Sequence, residues 1–228
     1  MSQSFSISRL PAQAVSVLFH PLLMPTYMLA VLLLVNPYLF GVNSWADPIS
    51  KLLLLRVFIS TFLLPAVGVG MLRGVGFISS LEMPDKSERI GPYIITGIFY
   101  LWMFRNLTDN PQIPTAFTIF MLGAVIGVFL AFFINIFSKI SAHAVGMGGM
   151  VAMVVITMFL FSYDTFSLQT AWFGMLHFNM TVVLLAALLA AGLTGTARLW
   201  LRAHIPSEVY GGFFVGFLSQ LIALRIMF

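Results

Sequence analysis

The chain has 228 residues, of which 60% are hydrophobic and only 8% are charged, and its mean hydropathy is +1.02. A water-soluble monomer cannot hide that much apolar surface, so that class is excluded and membrane residence is expected. There is no cysteine, which excludes a disulfide framework and a thiolate metal site. The net charge of +4 is small. We interpret it as a local anion-binding site plus charges that flank the membrane, with no nucleic-acid partner.

Seven apolar stretches follow one another along the chain, and most have the roughly 20 residues that a helix needs to cross the hydrocarbon core. A sheet open to lipid would leave backbone groups unpaired, and barrel strands would be shorter and would alternate apolar with polar residues. The predicted fold is therefore all-α, a polytopic membrane helical bundle that forms one integral membrane domain over residues 1–228. The stretches are Val15–Val35, Leu52–Leu72, Pro92–Phe104, Pro114–Phe137, Ala144–Phe161, Ala171–Ala191 and Val209–Phe228.

The third stretch, Pro92–Phe104, has only 13 residues and needs its polar flanks to cross, so six or seven stretches cross. If all seven cross, the loops that hold Lys86 and Arg89, Ser141–His143, and Arg198–His204 lie on one face of the membrane. If the third stretch is re-entrant, the first of these loops lies opposite the other two. A site that joins all three loops therefore requires the seven-span topology.

The first ionisable segment, Asp85–Pro92, supplies the cations Lys86 and Arg89 at the start of the short stretch. A charge near hydrocarbon is costly and usually has a function. The neighbouring Asp85 and Glu88 leave a second interpretation open, in which these residues form a solvated charge cluster.

A second constellation, Lys139-Ile140-Ser141-Ala142-His143, directly precedes the fifth stretch. Ser141 is predicted to be the N-cap of that helix and a hydrogen-bond donor to phosphate. His143 is suited to give a proton to a leaving alkoxide. Alone, His143 would more simply be a helix-end histidine without a role, so its functional interpretation depends on the next motif.

The third constellation combines Arg198, His204 and Glu208. Pro206 favours the first turn of a helix, which would place Glu208 within reach of the imidazole four residues earlier. A carboxylate on one ring nitrogen would fix the tautomer and leave the other nitrogen free to attack phosphorus, while the helix N-terminus favours an anion. The guanidinium of Arg198 could donate two hydrogen bonds to phosphate oxygens. In isolation, Arg198 would be interpreted as an anchor at the membrane interface.

These three constellations resemble the motifs of the type 2 phosphatidic acid phosphatase superfamily, integral membrane lipid phosphatases related to vanadium-dependent haloperoxidases. That family's S-R-x5-H-x3-D motif matches in spacing, with Ala197 for serine and Glu208 for aspartate. Its P-S-G-H motif is similar to Ile140–His143. Its K-x6-R-P motif matches poorly, because a glutamate stands where its lysine is expected, and Lys86 and Arg89 are carried over as equivalents. The resemblance covers residues 86–228, which would be the catalytic core.

The resemblance implies metal-independent hydrolysis of a lipid phosphomonoester or pyrophosphate through a phosphohistidine, without a cofactor. In this scheme His204 is the nucleophile, Glu208 orients it, and His143 is the general acid and then the base that activates water. Candidate substrates are membrane lipid phosphates and polyprenyl pyrophosphates. The residues that would bind the substrate phosphate are Arg198, Lys86, Arg89 and Ser141.

Two alternatives remain open at this point: a lipid phosphotransferase with an alcohol acceptor, and a non-catalytic protein that binds lipid phosphate through a relic site. A small transporter is less favoured, because the spans offer few ionisable residues apart from His20 and His177. We interpret those two histidines as structural polar contacts between helices. The spacings Gly70–Gly74, Gly123–Gly127 and Gly212–Gly216 favour close helix packing within the chain.

The distribution of Lys and Arg residues does not determine which face of the membrane carries the motifs. Seven Lys and Arg residues lie on the motif face of the seven-span topology and four on the other, which favours a cytoplasmic motif face. Removing Lys86, Arg89, Arg198 and Arg202 as site cations leaves three against four. The family resemblance instead favours a bacterial inner membrane protein with its site on the periplasmic or outer face. Oligomeric state is not indicated by the sequence.

Overall fold

A computed structural model describes residues 9–170 and 174–228, and most of these residues are helical. Six helical segments in this described part are long and apolar enough to cross a membrane. The prediction of an all-α polytopic bundle is therefore confirmed, with one short hairpin added to it. The six segments are Leu10–Val35, Pro48–Gly74, Thr115–Phe137, Ala142–Leu160, Met180–Trp200 and Pro206–Met227.

The first segment is broken into two helices, α1 (Leu10–Leu18) and α2 (Met24–Val35), which a single turn, Pro21–Leu23, connects. A proline has no backbone N–H to donate to the preceding turn, so the helix cannot run through Pro21 without interruption. The ring of His20 stabilises the break, because its Nδ1 accepts a hydrogen bond from the Leu22 N–H at 3.3 Å. The break lies at a polar side chain in a mostly apolar segment.

The second segment contains α3 (Pro48–Phe58) and α4 (Leu64–Gly74), joined by a π-helical turn, Ile59–Leu63. Pro65 explains the wider turn, because it cannot donate to the carbonyl four residues earlier and its ring crowds that carbonyl. The carbonyl group belongs to Thr61, which lies inside the π-helical turn.

The short apolar stretch becomes helix α5 (Ile90–Thr108), which has 19 residues and is about 28 Å long. It runs antiparallel to α6 (Thr115–Phe137), because Asn135 near the end of α6 donates to the Lys86 carbonyl just before α5. Ile90 and Gly91 before the stretch and Arg105–Thr108 after it extend the helix beyond the 13 predicted apolar positions. The loop before α5 therefore lies at the same end of the bundle as the loop after α6.

Helices α7 (Ala142–Leu160) and α9 (Pro206–Met227) form the closest helix pair. A Cβ built on Gly216 would overlap the Val145 carbonyl oxygen, and one on Gly212 would lie 2.8 Å from the Ser141 carbonyl oxygen. Only glycine lets the two backbones approach this closely. The predicted packing role of Gly212 and Gly216 is confirmed.

The other two predicted glycine pairs, Gly123–Gly127 and Gly70–Gly74, differ from each other in their surroundings. A Cβ on Gly123 would overlap the amide of Gln220, so this glycine also packs within the chain. Around Gly70 and Gly74, by contrast, a Cβ would meet nothing within 4 Å, so the prediction of close packing within the chain is wrong for that pair.

A β-hairpin precedes helix α8 (Met180–Trp200) and corrects the predicted sixth stretch. Strands β1 (Thr165–Thr170) and β2 (Gly174–Asn179) pair antiparallel, and residues 171–173 lie outside the described part. The side chain of Asn179 accepts a hydrogen bond from the Thr181 N–H at 2.8 Å and so starts the helix there. The helix then continues nine residues beyond the predicted end at Ala191.

His177 lies on β2 and not between helices. Its Nδ1 forms a hydrogen bond with the Ser167 hydroxyl at 2.8 Å, across the hairpin. The prediction that His177 makes a contact inside a helical span is therefore wrong. An apolar run that contains strand residues cannot be separated from a helix by hydropathy alone.

The contact between α7 and α9 generates a stability prediction. Gly216→Ala should lower the free energy of unfolding by about 1–3 kcal/mol, because the added methyl group meets backbone atoms that cannot move aside. Gly211→Ala on the same helix is the matched control, since nothing lies within 4 Å of a Cβ there. Thermal unfolding in detergent should separate the two variants, and equal midpoints would contradict the assigned contact.

Candidate active site

The candidate site lies where the N-termini of α7 and α9 meet the C-terminal end of α8. The Ser141 N–H donates to the Glu208 carbonyl oxygen at 3.3 Å, which joins the two helix starts directly. Arg198 lies in the last helical turn of α8, and not in the polar loop where the sequence places it. Both helix N-termini direct positive partial charge towards an anion.

His204 and Glu208 form a buried pair. Pro206 begins α9 as predicted, after Ile205 in an extended conformation, and the carboxylate in the first turn reaches back to the preceding loop. The Nδ1 of His204 lies 2.6 Å from Oε2 of Glu208, and the two side chains are only 2% and 15% exposed. A hydrogen bond this short to an ionised acceptor is a strong one.

The surroundings of His204 keep its imidazole neutral. Burial, followed by the positive charges of Arg89, Arg198 and Lys139, lowers the pKa of His204 to about 3. In the neutral ring, Nδ1 carries the proton and donates it to Glu208. The Nε2 lone pair is therefore free, which is the state that a nitrogen nucleophile needs.

Arg89 is largely buried and holds two loops together. Its Nε donates to the Met83 carbonyl at 3.1 Å, and its Nη1 donates to the Ile140 carbonyl at 3.2 Å. Burial lowers the pKa of Arg89, but an arginine stays charged at neutral pH. The contact with Ile140 places this cation beside the start of α7.

Arg198 contacts the first helix of the chain. Its Nη1 donates to the Ser16 hydroxyl at 3.3 Å, while its Nε is buried and has no hydrogen-bond partner among the described residues. A buried guanidinium N–H without a partner is costly, so this donor is well suited to an anionic ligand. The exposed carboxylate of Glu82 also interacts electrostatically with Arg198.

Ser141 and His143 occupy the start of α7. Ser141 is fully buried and is the N-cap, as predicted, because its hydroxyl accepts from the Ala144 N–H at 3.4 Å. The Nε2 of His143 lies 3.1 Å from the Ser16 carbonyl oxygen, and its ring lies edge-on to the ring of His20 with centroids 5.5 Å apart. His143 also interacts electrostatically with His204, so both predicted histidines lie at the same end of the bundle.

Lys86 is placed differently from the other predicted residues. Its Nζ donates to the carbonyl oxygens of Ile136 and Phe137 at 2.9 and 3.1 Å, where it caps the C-terminal end of α6. Lys139 instead is the lysine that interacts with His204, and burial together with the charge of Arg89 lowers the pKa of Lys139. The cations around His204 are thus Arg89, Arg198 and Lys139.

The structure adds residues that sequence reasoning did not assign to the site. Ser16 and His20 come from the first helical segment, more than sixty residues before the first motif, and no local pattern marks them. Lys139 lies two residues before Ser141 in the sequence, but a lysine at a helix end is also typical of a residue that flanks the membrane. The first segment therefore also contributes residues to the site.

No group of three or more His, Cys, Asp or Glu side chains within residues 9–170 and 174–228 is arranged to hold a metal ion. Comparison of the chain with protein-family models, curated proteins and solved structures gives no significant match.

The state of His204 can be measured by NMR of ¹⁵N-histidine-labelled protein in detergent. We expect a neutral Nδ1–H ring from neutral pH down to about pH 4, because its pKa is lowered to about 3. In the unfolded chain the imidazole of His204 takes up a second proton near pH 6.5, whereas in the folded protein it does so only near pH 3. The free energy of unfolding should therefore fall as the pH drops from 6.5 towards 3.

Glu208→Ala is the informative variant in that experiment, because it removes the acceptor that selects the Nδ1–H tautomer, and both tautomers should then appear. The His204 resonance is assigned by its loss in His204→Ala. A ring that titrates near pH 6.5 in the wild type would contradict the described electrostatics.

Proposed function

We propose that this protein is an integral membrane lipid phosphatase that works through a phosphohistidine on His204. The observation that carries the proposal is the buried His204–Glu208 pair, which leaves a neutral ring with a free Nε2 beside three cations. A nucleophile oriented by a carboxylate and surrounded by positive charge is the arrangement that phosphoryl transfer needs. The motif resemblance points to the same chemistry.

In the first half of the proposed reaction, Nε2 of His204 attacks the substrate phosphorus. The N–P bond forms as the P–O bond to the lipid alkoxide breaks, and the imidazolium is stabilised by the Glu208 carboxylate. Arg89, Arg198 and Lys139 offset the charge on the phosphoryl oxygens. His143, doubly protonated once the anionic phosphate is bound, donates its Nδ1 proton to the departing alkoxide while its Nε2–H stays on the Ser16 carbonyl. The lipid leaves as an alcohol, or as a lipid monophosphate when the substrate is a pyrophosphate.

In the second half, water takes the place of the lipid. His143, now neutral, accepts a proton from water while the water oxygen attacks the phosphorus of the phosphohistidine. The N–P bond then breaks and inorganic phosphate is released. His204 returns to its neutral state with Nδ1–H on Glu208. The cycle uses no group other than the chain's own side chains and water.

The position of the site supports a lipid substrate. The helices that carry it are apolar along their length and fit a bilayer, and the site lies at their ends. A phosphate headgroup can reach such a site while its apolar chain stays among the lipids. We place the site on the periplasmic or outer face of a bacterial inner membrane as part of this proposal, following the motif resemblance.

The test is phosphate release by purified protein in detergent with excess EDTA, over a panel of lipid phosphates and pyrophosphates. We expect release that survives EDTA, no detectable turnover in His204→Ala, and a loss of about 10²- to 10⁴-fold in His143→Ala. His177→Ala is the matched control, because this histidine lies on the hairpin. It should keep wild-type activity.

Three outcomes decide between the alternatives. Product that forms only when an alcohol is added would identify a phosphotransferase. Binding of lipid phosphate without turnover would indicate a relic site. Activity that persists in His204→Ala would overturn the assigned nucleophile, even if the protein is a phosphatase.

A further inference from the structure

Ser16 makes two polar contacts with the site from a helix outside the three motifs. Its hydroxyl lies 3.3 Å from Nη1 of Arg198, and its carbonyl oxygen lies 3.1 Å from Nε2 of His143. The residue is only 7% exposed, in a helix whose neighbours Val17 and Leu18 are largely exposed. Helix α1 thus turns one buried polar residue towards the site.

The two contacts act on different groups. The Ser16 hydroxyl accepts a hydrogen bond from the Arg198 guanidinium. This bond restrains the long Arg198 side chain and so fixes the directions of its remaining N–H groups. The carbonyl accepts from Nε2–H of His143, which assigns the proton to Nε2 and leaves Nδ1 as the nitrogen that can exchange a proton with a substrate. Glu208 plays the corresponding part for His204.

We propose that Ser16 is a positioning residue that orients Arg198 through its hydroxyl and His143 through its carbonyl, so that docking of α1 completes the site. This inference rests on the proposed function. The side-chain contact can be removed by substitution, whereas the backbone contact stays as long as α1 remains docked. The two roles therefore have separate readouts.

The first experiment measures the binding of orthovanadate, a phosphate analogue, and the steady-state kinetics of the best lipid phosphate. Ser16→Ala should weaken vanadate binding and raise KM by about fivefold to tenfold, because Arg198 loses a charge-assisted hydrogen bond. It should leave kcat within about twofold, since His143, His204 and Glu208 keep their contacts. Ser16→Thr, which restores the hydroxyl, should return both values towards wild type.

Ser219→Ala is the matched control, because it removes another buried serine hydroxyl, one that donates to the Val215 carbonyl within α9. It should change neither vanadate binding nor KM. Equal effects of Ser16→Ala and Ser219→Ala, or no recovery in Ser16→Thr, would overturn the hydroxyl's role. The vanadate measurement needs no turnover, so it tests Ser16 even if the phosphatase proposal fails, and a wild type that binds no vanadate would overturn both.

The carbonyl contact is tested by the ¹⁵N spectrum of His143 in the wild type and Ser16→Ala. Both should show the Nε2–H tautomer, because the substitution leaves the backbone acceptor in place. An Nδ1–H form of His143 in the intact protein would contradict the assignment.

Discussion

The close contact between α7 and α9 is the constraint on which the site depends. Gly212 and Gly216 bring the α9 backbone against the start of α7, so that the Ser141 N–H reaches the Glu208 carbonyl. With any larger residue at Gly216 the two helix starts would separate. The two histidines would then face different surroundings, although each helix could still form by itself. The chemistry of the site is therefore a consequence of helix packing as much as of the motifs.

Buried charge explains how the rest of the site is organised. Arg89 and Arg198 lie largely out of water, where cations are costly unless partners stabilise them. Backbone carbonyls and Ser16 satisfy part of their hydrogen-bonding capacity, and the buried Nε of Arg198 remains without a described partner. Burial, together with these cations, lowers the pKa of His204, and the cations also attract an anion. Burial beside this cluster thus accounts for the neutral nucleophile, and the cluster accounts for the phosphate binding that we propose.

Hydropathy predicted the membrane bundle, because the length and apolarity of a span are properties of a local segment. The local motif also predicted the helix start at Pro206 and the N-cap at Ser141. Hydropathy could not predict the hairpin before α8, since apolar strand and helix residues look alike. The sequence also does not predict that Lys86 caps α6 or that Ser16 contacts Arg198. Both contacts depend on how segments that are distant in the chain pack together.

The central claim is that His204 carries the phosphoryl group, and trapping that intermediate tests it most directly. Purified protein is mixed with a ³²P-labelled lipid phosphate, quenched in alkali within one turnover, and digested for mass spectrometry, since a phosphohistidine is stable to base and labile to acid. The account predicts acid-labile label on the peptide that contains His204, absent from His204→Ala and present in His177→Ala. Turnover without label, or label on another residue, would contradict it.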